Sequence, residues 1–143
     1  MGGKALSISP DTNVLMRAFV KDDSRQSEIA IEELEAANAI ALSSTALSEF
    51  VWVLTMGYKF DRATAAIFIR ELIESGKILA NWHAVEAGLA ALDNGGDFAD
   101  AVIEIEGRQL GGDVFVSFDE KAVKISARAG RAARVPGSRK ARG

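Results

Sequence analysis

Val114-Phe115-Val116-Ser117-Phe118-Asp119-Glu120 is the stretch whose reading decides the fold class. Its continuous run of β-branched and aromatic residues predicts a buried strand of the parallel type. The run ends on an acid, and Glu120–Arg128 behind it predicts a helix. Ahead of it, Asp97–Leu110 predicts a helix that ends at Gly111-Gly112. Further back come a turn at Asn94-Gly95-Gly96, a helix over Trp82–Leu92 and a strand at Ile78-Leu79-Ala80. Arg62–Glu74 predicts a helix capped by Asp61 and closed by Ser75-Gly76. Ala46–Met56 predicts another, capped by Ser44 or Thr45 and stopped by Gly57. Ala39–Leu42 reads as a short buried strand, Ser24–Asn38 and Asn13–Val20 as helices, and Leu6-Ser7-Ile8 as a first strand ending at Pro10. Strands alternating with more numerous helices imply a helix-rich, three-layer α/β/α domain. Its centre is a mainly parallel sheet of four to five strands.

The 143 residues suffice for one domain with a real core and not for two. Residues 1–130 are assigned to that domain and 131–143 to a basic Arg/Gly/Pro-containing tail, in which Val135 marks a candidate last edge strand. There is no Cys, which excludes disulfides, thiolate metal sites and a Cys nucleophile, and His83 is the single His. Chemistry must therefore come from carboxylates, hydroxyls, amides and cations. No apolar stretch is long enough to span a bilayer, and the N-terminus lacks the layout of a signal peptide, so a cytoplasmic location is expected. The net charge of −3 conceals an asymmetry. Residues 1–120 carry nine Lys/Arg against twenty Asp/Glu, net −11, whereas residues 121–143 carry eight Lys/Arg and no acid, net +8. An acidic body beside a basic segment suits a protein that binds cations in one place and a polyanion nearby.

In open α/β sheets ligands bind beyond the carboxyl ends of the strands. Asp11 follows the first strand and Asp119 follows Val114–Phe118, so each stands at such an end, where it also suits a helix cap. Glu49 is the only charged residue between Glu35 and Lys59 and sits in the apolar sequence Ser48-Glu49-Phe50-Val51-Trp52. A helix this apolar is expected to be buried, and a buried carboxylate needs a cation or a distant Arg such as Arg17 or Arg70. Asp97 and Asp100 share a helix face, with Glu104 one turn further on. Like charges so placed call for a compensating cation. Asp97 suits a capping or supporting role and Asp100 that of a ligand. Four carboxylates without a soft ligand select Mg²⁺ or Mn²⁺.

Together these pieces resemble a PIN domain over residues 5–128. The match runs through Asp11-Thr12-Asn13-Val14-Leu15 and Glu49 in Ser48–Leu54, then Asp97-Phe98-Ala99-Asp100-Ala101-Val102-Ile103 and Val116-Ser117-Phe118-Asp119. By length and motif the chain is similar to VapC-like toxins of type II toxin–antitoxin pairs. That resemblance implies that Asp11, Glu49, Asp100 and Asp119 are a metal-binding catalytic quartet, with Asn13 and Ser117 as polar supports. It further implies Mg²⁺-dependent endoribonuclease activity, a homodimer, and inhibition by a small cognate antitoxin protein. Two features depart from the pattern. Ser7-Ile8-Ser9-Pro10 is more polar than the usual first strand, and the chain ends without a clear final strand.

Two other classes stand beside this one. A phosphotransfer domain of the receiver or haloacid-dehalogenase kind also sets Asp at strand ends with Mg²⁺, but Asn13 occupies the place where the latter wants a second Asp. The other is a non-cleaving PIN-like scaffold that binds RNA or protein, which loss of an acid would favour. Arg128, Arg131 and Arg134, with Arg139, Lys140 and Arg142, are candidate RNA-phosphate contacts. His83 reads as a surface or capping residue, and Trp52 and Trp82 as core or dimer-interface side chains.

Overall fold

The computed structural model describes residues 6–137, which divide into two compact units, one ending at Asn81 and one beginning at Trp82.

The first unit holds three strands, β1 (Ser7–Ile8), β2 (Ala39–Ala41) and β3 (Ile78–Leu79), hydrogen-bonded in that order and all parallel. Ser7 pairs with Ala39, and Ile40 in the middle pairs with both Ile8 and Ile78. Parallel neighbours need long crossovers, and helices supply them. α1 (Thr12–Phe19) and α2 (Ser24–Ala36) link β1 to β2; α3 (Ser44–Trp52) and α4 (Arg62–Glu74) link β2 to β3. Asp11, Asp23, Ser43 and Asp61 cap the four helices through their side-chain oxygens. The α3 cap is thus Ser43, one residue before the expected Ser44 or Thr45.

α3 does not stop cleanly at Gly57. It passes into a π-helical turn over Val53–Gly57, where the Tyr58 N–H donates to Val53 O at 3.0 Å. Thr55 Oγ1 donates back to Val51 O at 2.8 Å, which favours loosening of this turn. Lys59, not Gly57, adopts the left-handed conformation, at φ 62°. Leu15, Leu47, Phe50, Leu54 and Ile69 form the buried centre, and Phe19 packs against Phe50 and Phe68 with ring centroids 5.6 and 5.0 Å apart.

The second unit comprises α5 (Trp82–Asp93), α6 (Phe98–Gln109), β4 (Phe115–Val116), α7 (Glu120–Arg128) and β5 (Ala133–Arg134). α5 packs closely on α6 because Gly88 leaves a flat spot for the buried Phe98 ring; any side chain there would strike it. Gly130, at φ 82°, turns the chain out of α7 and into β5, which pairs in parallel with β4. Residues 131–134, assigned above to the tail, therefore include a strand, close to the candidate edge position Val135.

The fold is the expected helix-rich α/β architecture, and every strand pairing is parallel. One expectation needs correction: β4 is not buried. Val116 is 45% and Phe118 82% exposed; among the described residues β4 pairs only with β5, and Phe118 lies beyond the paired residues. Among the described residues no helix is long and apolar enough to cross a membrane.

Candidate functional site

The first unit holds Asp11 and Glu49. Asp11 leaves β1 through Ser9-Pro10 and caps α1, its Oδ1 accepting the Val14 N–H at 3.1 Å. Glu49 stands midway along α3, and its Oε2 accepts the Thr12 hydroxyl at 2.9 Å. Thr12 thereby ties the start of α1 to the acid on α3. Asp11, Thr12, Asn13 and Glu49 line one open cavity of about 580 Å³. Thr12 is a site residue that the sequence alone did not single out, since its partner Glu49 lies 37 residues away.

Glu49 is placed differently from the expectation built on its apolar neighbours. Ala46, Leu47, Phe50, Val51 and Leu54 form the buried stripe of α3, while Glu49 is exposed at the cavity and Trp52 is 64% exposed. The helix is amphipathic despite its composition, so burial does not explain Glu49 and Trp52 is not a core residue. Trp82 is likewise exposed, as is His83. Arg17, a suggested partner for Glu49, pairs instead with Asp22 at 2.7 Å. The Tyr58 hydroxyl bonds the other Asp22 oxygen at 2.8 Å, and this bond is the main reason that the Asp22 carboxyl titrates low.

The second unit holds its own acids, Asp97, Asp100 and Asp119. Asp97 caps α6 through the Ala99 N–H at 3.3 Å, and Asp100 lies half-buried in the first turn of that helix. Asp119 caps α7; its Oδ1 accepts from Lys121 N at 3.0 Å and Ala122 N at 3.1 Å. Ser117 Oγ accepts the Asp119 N–H at 3.0 Å and so shapes the turn that presents this acid. Burial pushes the Asp100 carboxyl above its ordinary range, and the charges of Asp97 and Asp119 push it further. Asp100 thus feels both neighbouring acids.

Glu104, one turn beyond Asp100, has the opposite surroundings. It is 5% exposed, and its Oε2 accepts from Arg131 Nε at 2.6 Å, Ser126 Oγ at 2.7 Å and Arg108 Nε at 3.1 Å. A second Arg131 nitrogen reaches Oε1 at 3.1 Å. Burial pushes the carboxyl up, but the bonds from Arg131 and Ser126, the Arg131 charge and the Arg108 bond outweigh it and hold it low. The cations that this acid was expected to want are therefore guanidiniums. Arg108 also donates to the carbonyls of Asp113 and Ala132, binding α6 to the approaches of β4 and β5. Of the candidate RNA contacts, Arg128 is exposed at the end of α7, Arg131 holds Glu104 and Arg134 lies in β5. Arg139, Lys140 and Arg142 lie outside the described residues.

The family profile of the PIN domain matches residues 8–128, a span that includes all four quartet acids. The chain belongs to the PIN domain family. No curated protein and no solved structure matches it. PIN domains are typically nucleases and usually bind divalent metals such as Mg²⁺.

Whether this PIN domain suits a metal is answered by its donors. Asp11, Glu49, Asp100 and Asp119 offer only carboxylate oxygen, which suits a hard divalent cation. Arg131, which lines the same small cavity as Asp97 and Asp100, is engaged by Glu104. Among the described residues, however, no group of three or more His, Cys, Asp or Glu is spaced to hold an ion unaided. The donors fit in chemistry, in sets smaller than a complete cage.

Proposed function

We propose that this PIN domain is a Mg²⁺- or Mn²⁺-dependent endoribonuclease in which Asp11, Glu49, Asp100 and Asp119 hold the metal and the scissile phosphate. The observation that carries the reading is the unequal treatment of acids. Glu104 is paired with Arg108 and Arg131, while Asp100 lies within reach of the Asp97 and Asp119 charges. A protein that only needed to fold could have paired them all.

In this reading Asp11, Glu49, Asp100 and Asp119 would hold a divalent ion, which would supply an activated water and charge stabilisation for phosphodiester hydrolysis. The residues supply the rest. Thr12 fixes the rotamer of Glu49 through its hydroxyl, and the α1 cap fixes Asp11 beside it. Ser117 holds the turn of Asp119, Asp97 orders the first turn of α6 beneath Asp100, and Asn13 offers an amide to substrate at the cavity. The nuclease domain of this reading, assigned to residues 1–130, extends through Arg131, which holds Glu104, and β5, which pairs with β4.

The biological role proposed is the toxin of a toxin–antitoxin pair, acting in the cytoplasm as a homodimer and restrained by a small cognate antitoxin. Exposed Trp52 on α3, Met56 in its π-helical turn, Tyr58 just after that turn and Ile67 on α4 support an apolar contact between copies. The test is incubation of RNA with the protein and Mg²⁺. Internal cleavage that EDTA stops and Asp11→Asn removes is expected. Cleavage that survives both changes contradicts the reading, and phosphorylation of an Asp by a small donor would replace it with phosphotransfer.

A further inference from the structure

The geometry points to the outer face of α7, carrying Lys121, Lys124 and Arg128, as the track along which an RNA phosphate backbone approaches the acidic site. At about 100° per residue the three positions fall within an arc of about 60°, on one side of the helix. All three are exposed, and none forms an ion pair with any described residue. Val123 and Ser126 occupy the buried side. The one acid on the helix, Glu120, flanks the arc about 40° beyond Lys124, its i,i+4 neighbour, on the side away from Lys121 and Arg128.

The stripe has a direction. Asp119 caps the helix two residues before Lys121. The Lys121 ammonium lies over the Gly95 turn, where a Cβ on Gly95 would be 3.1 Å from Nζ, and that turn leads into Asp97. The near end of the stripe therefore adjoins the acids, and the far end lies about 10 Å away at Arg128, a length that meets roughly two or three successive phosphates. Charge complementarity identifies the occupant. Residues 1–120 carry a net charge of −11, which repels a polyanion, so the strand needs a cationic path to reach the carboxylates. Arg131, whose guanidinium is committed to Glu104, and Arg134, within β5, stand outside this path. Phosphate contact thus passes to Lys121 and Lys124 and stays with Arg128.

This inference rests on the ribonuclease reading, but binding can be measured without cleavage. The probe is a fluorescein-labelled single-stranded RNA of mixed sequence, titrated in EDTA with the full chain at salt from about 50 to 200 mM. The stripe variant Lys121→Gln/Lys124→Gln/Arg128→Gln is compared with a control, Lys21→Gln/Arg25→Gln/Lys59→Gln, which removes equal charge elsewhere. The stripe variant is expected to bind tenfold or more weakly, with the log–log salt slope reduced by about 2, while the control stays near the unmodified protein. Equal weakening by both variants, or none by the stripe variant, overturns the inference. Tighter stripe-dependent binding of a polyglutamate peptide than of RNA also overturns it, in favour of an acidic protein partner. If the unmodified protein fails to cut RNA in Mg²⁺ while stripe-dependent binding persists, the nuclease reading falls and the RNA track stands.

Discussion

Asp100 and Glu104 lie one turn apart on α6, yet the protein treats them in opposite ways. Glu104 is enclosed, takes four hydrogen bonds from Arg131, Ser126 and Arg108, and titrates low. Asp100 is half-buried among like charges and titrates high. One acid is a structural fastener joining α6 to α7 and the approach to β5; the other is left in a state that a cation would improve. Sequence proximity and residue type do not separate these roles. The partners do.

The largest effect expected from breaking this contrast is on activity. Asp100→Asn should lower RNA cleavage by roughly 10²–10⁴-fold in a single-turnover assay while the protein stays folded by circular dichroism. Unchanged cleavage would make Asp100 a bystander. Glu104→Gln should act on stability instead. Removing a buried, multiply bonded charge leaves Arg131 uncompensated and should cost about 3–5 kcal/mol in denaturant unfolding. A change below about 1 kcal/mol would show that the guanidiniums find solvent without penalty.

The pH dependence sharpens the same contrast. Because Glu104 titrates low in the folded state, its stabilisation is full above the ordinary carboxylate range and is lost as pH falls through its folded-state value. Asp100 runs the other way. Its raised carboxyl favours the folded state while protonated, and the penalty sets in as pH rises through that raised value. In EDTA, Asp100→Asn should therefore raise the melting temperature at neutral pH and have little effect at low pH. Added Mg²⁺ should stabilise the unmodified protein, by about 2.7 kcal/mol at a hundredfold excess over its dissociation constant, and the Asn variant much less. The smallest effect belongs to Thr12→Val. Loss of the hydroxyl to the exposed Glu49 should cost no more than about 1 kcal/mol of stability and show mainly as a several-fold fall in cleavage.

Much of the fold was legible because local signals agreed. α4 begins and ends where Asp61 and Ser75-Gly76 indicated, since a cap oxygen, an apolar stripe and a glycine at φ 76° all point to the same bounds. The π-helical turn after α3 was not legible, because it depends on how Thr55 and the turn itself settle, not on composition. The exposure of β4 was hidden for a related reason: an apolar run does not say how many strands will lie beside it. The capping positions of Asp11, Asp97 and Asp119 could be read from their places before helices. The environment of Glu49 could not, since the apolar residues around it point to the other side of α3. Least legible was Glu104, whose main partner Arg131 lies 27 residues away, in a stretch read as tail.

Iron-directed backbone cleavage tests the central claim most directly, because Fe²⁺ held by carboxylates reduces added hydrogen peroxide to hydroxyl radicals that cut nearby chain, with ascorbate returning Fe³⁺ to Fe²⁺. Mass spectrometry of the fragments should show cuts near Asp11, Glu49, Asp100 and Asp119 together, all suppressed by excess Mg²⁺ and by Asp100→Asn. Cuts confined to the vicinity of one pair, or indifferent to Mg²⁺, would contradict a shared metal centre.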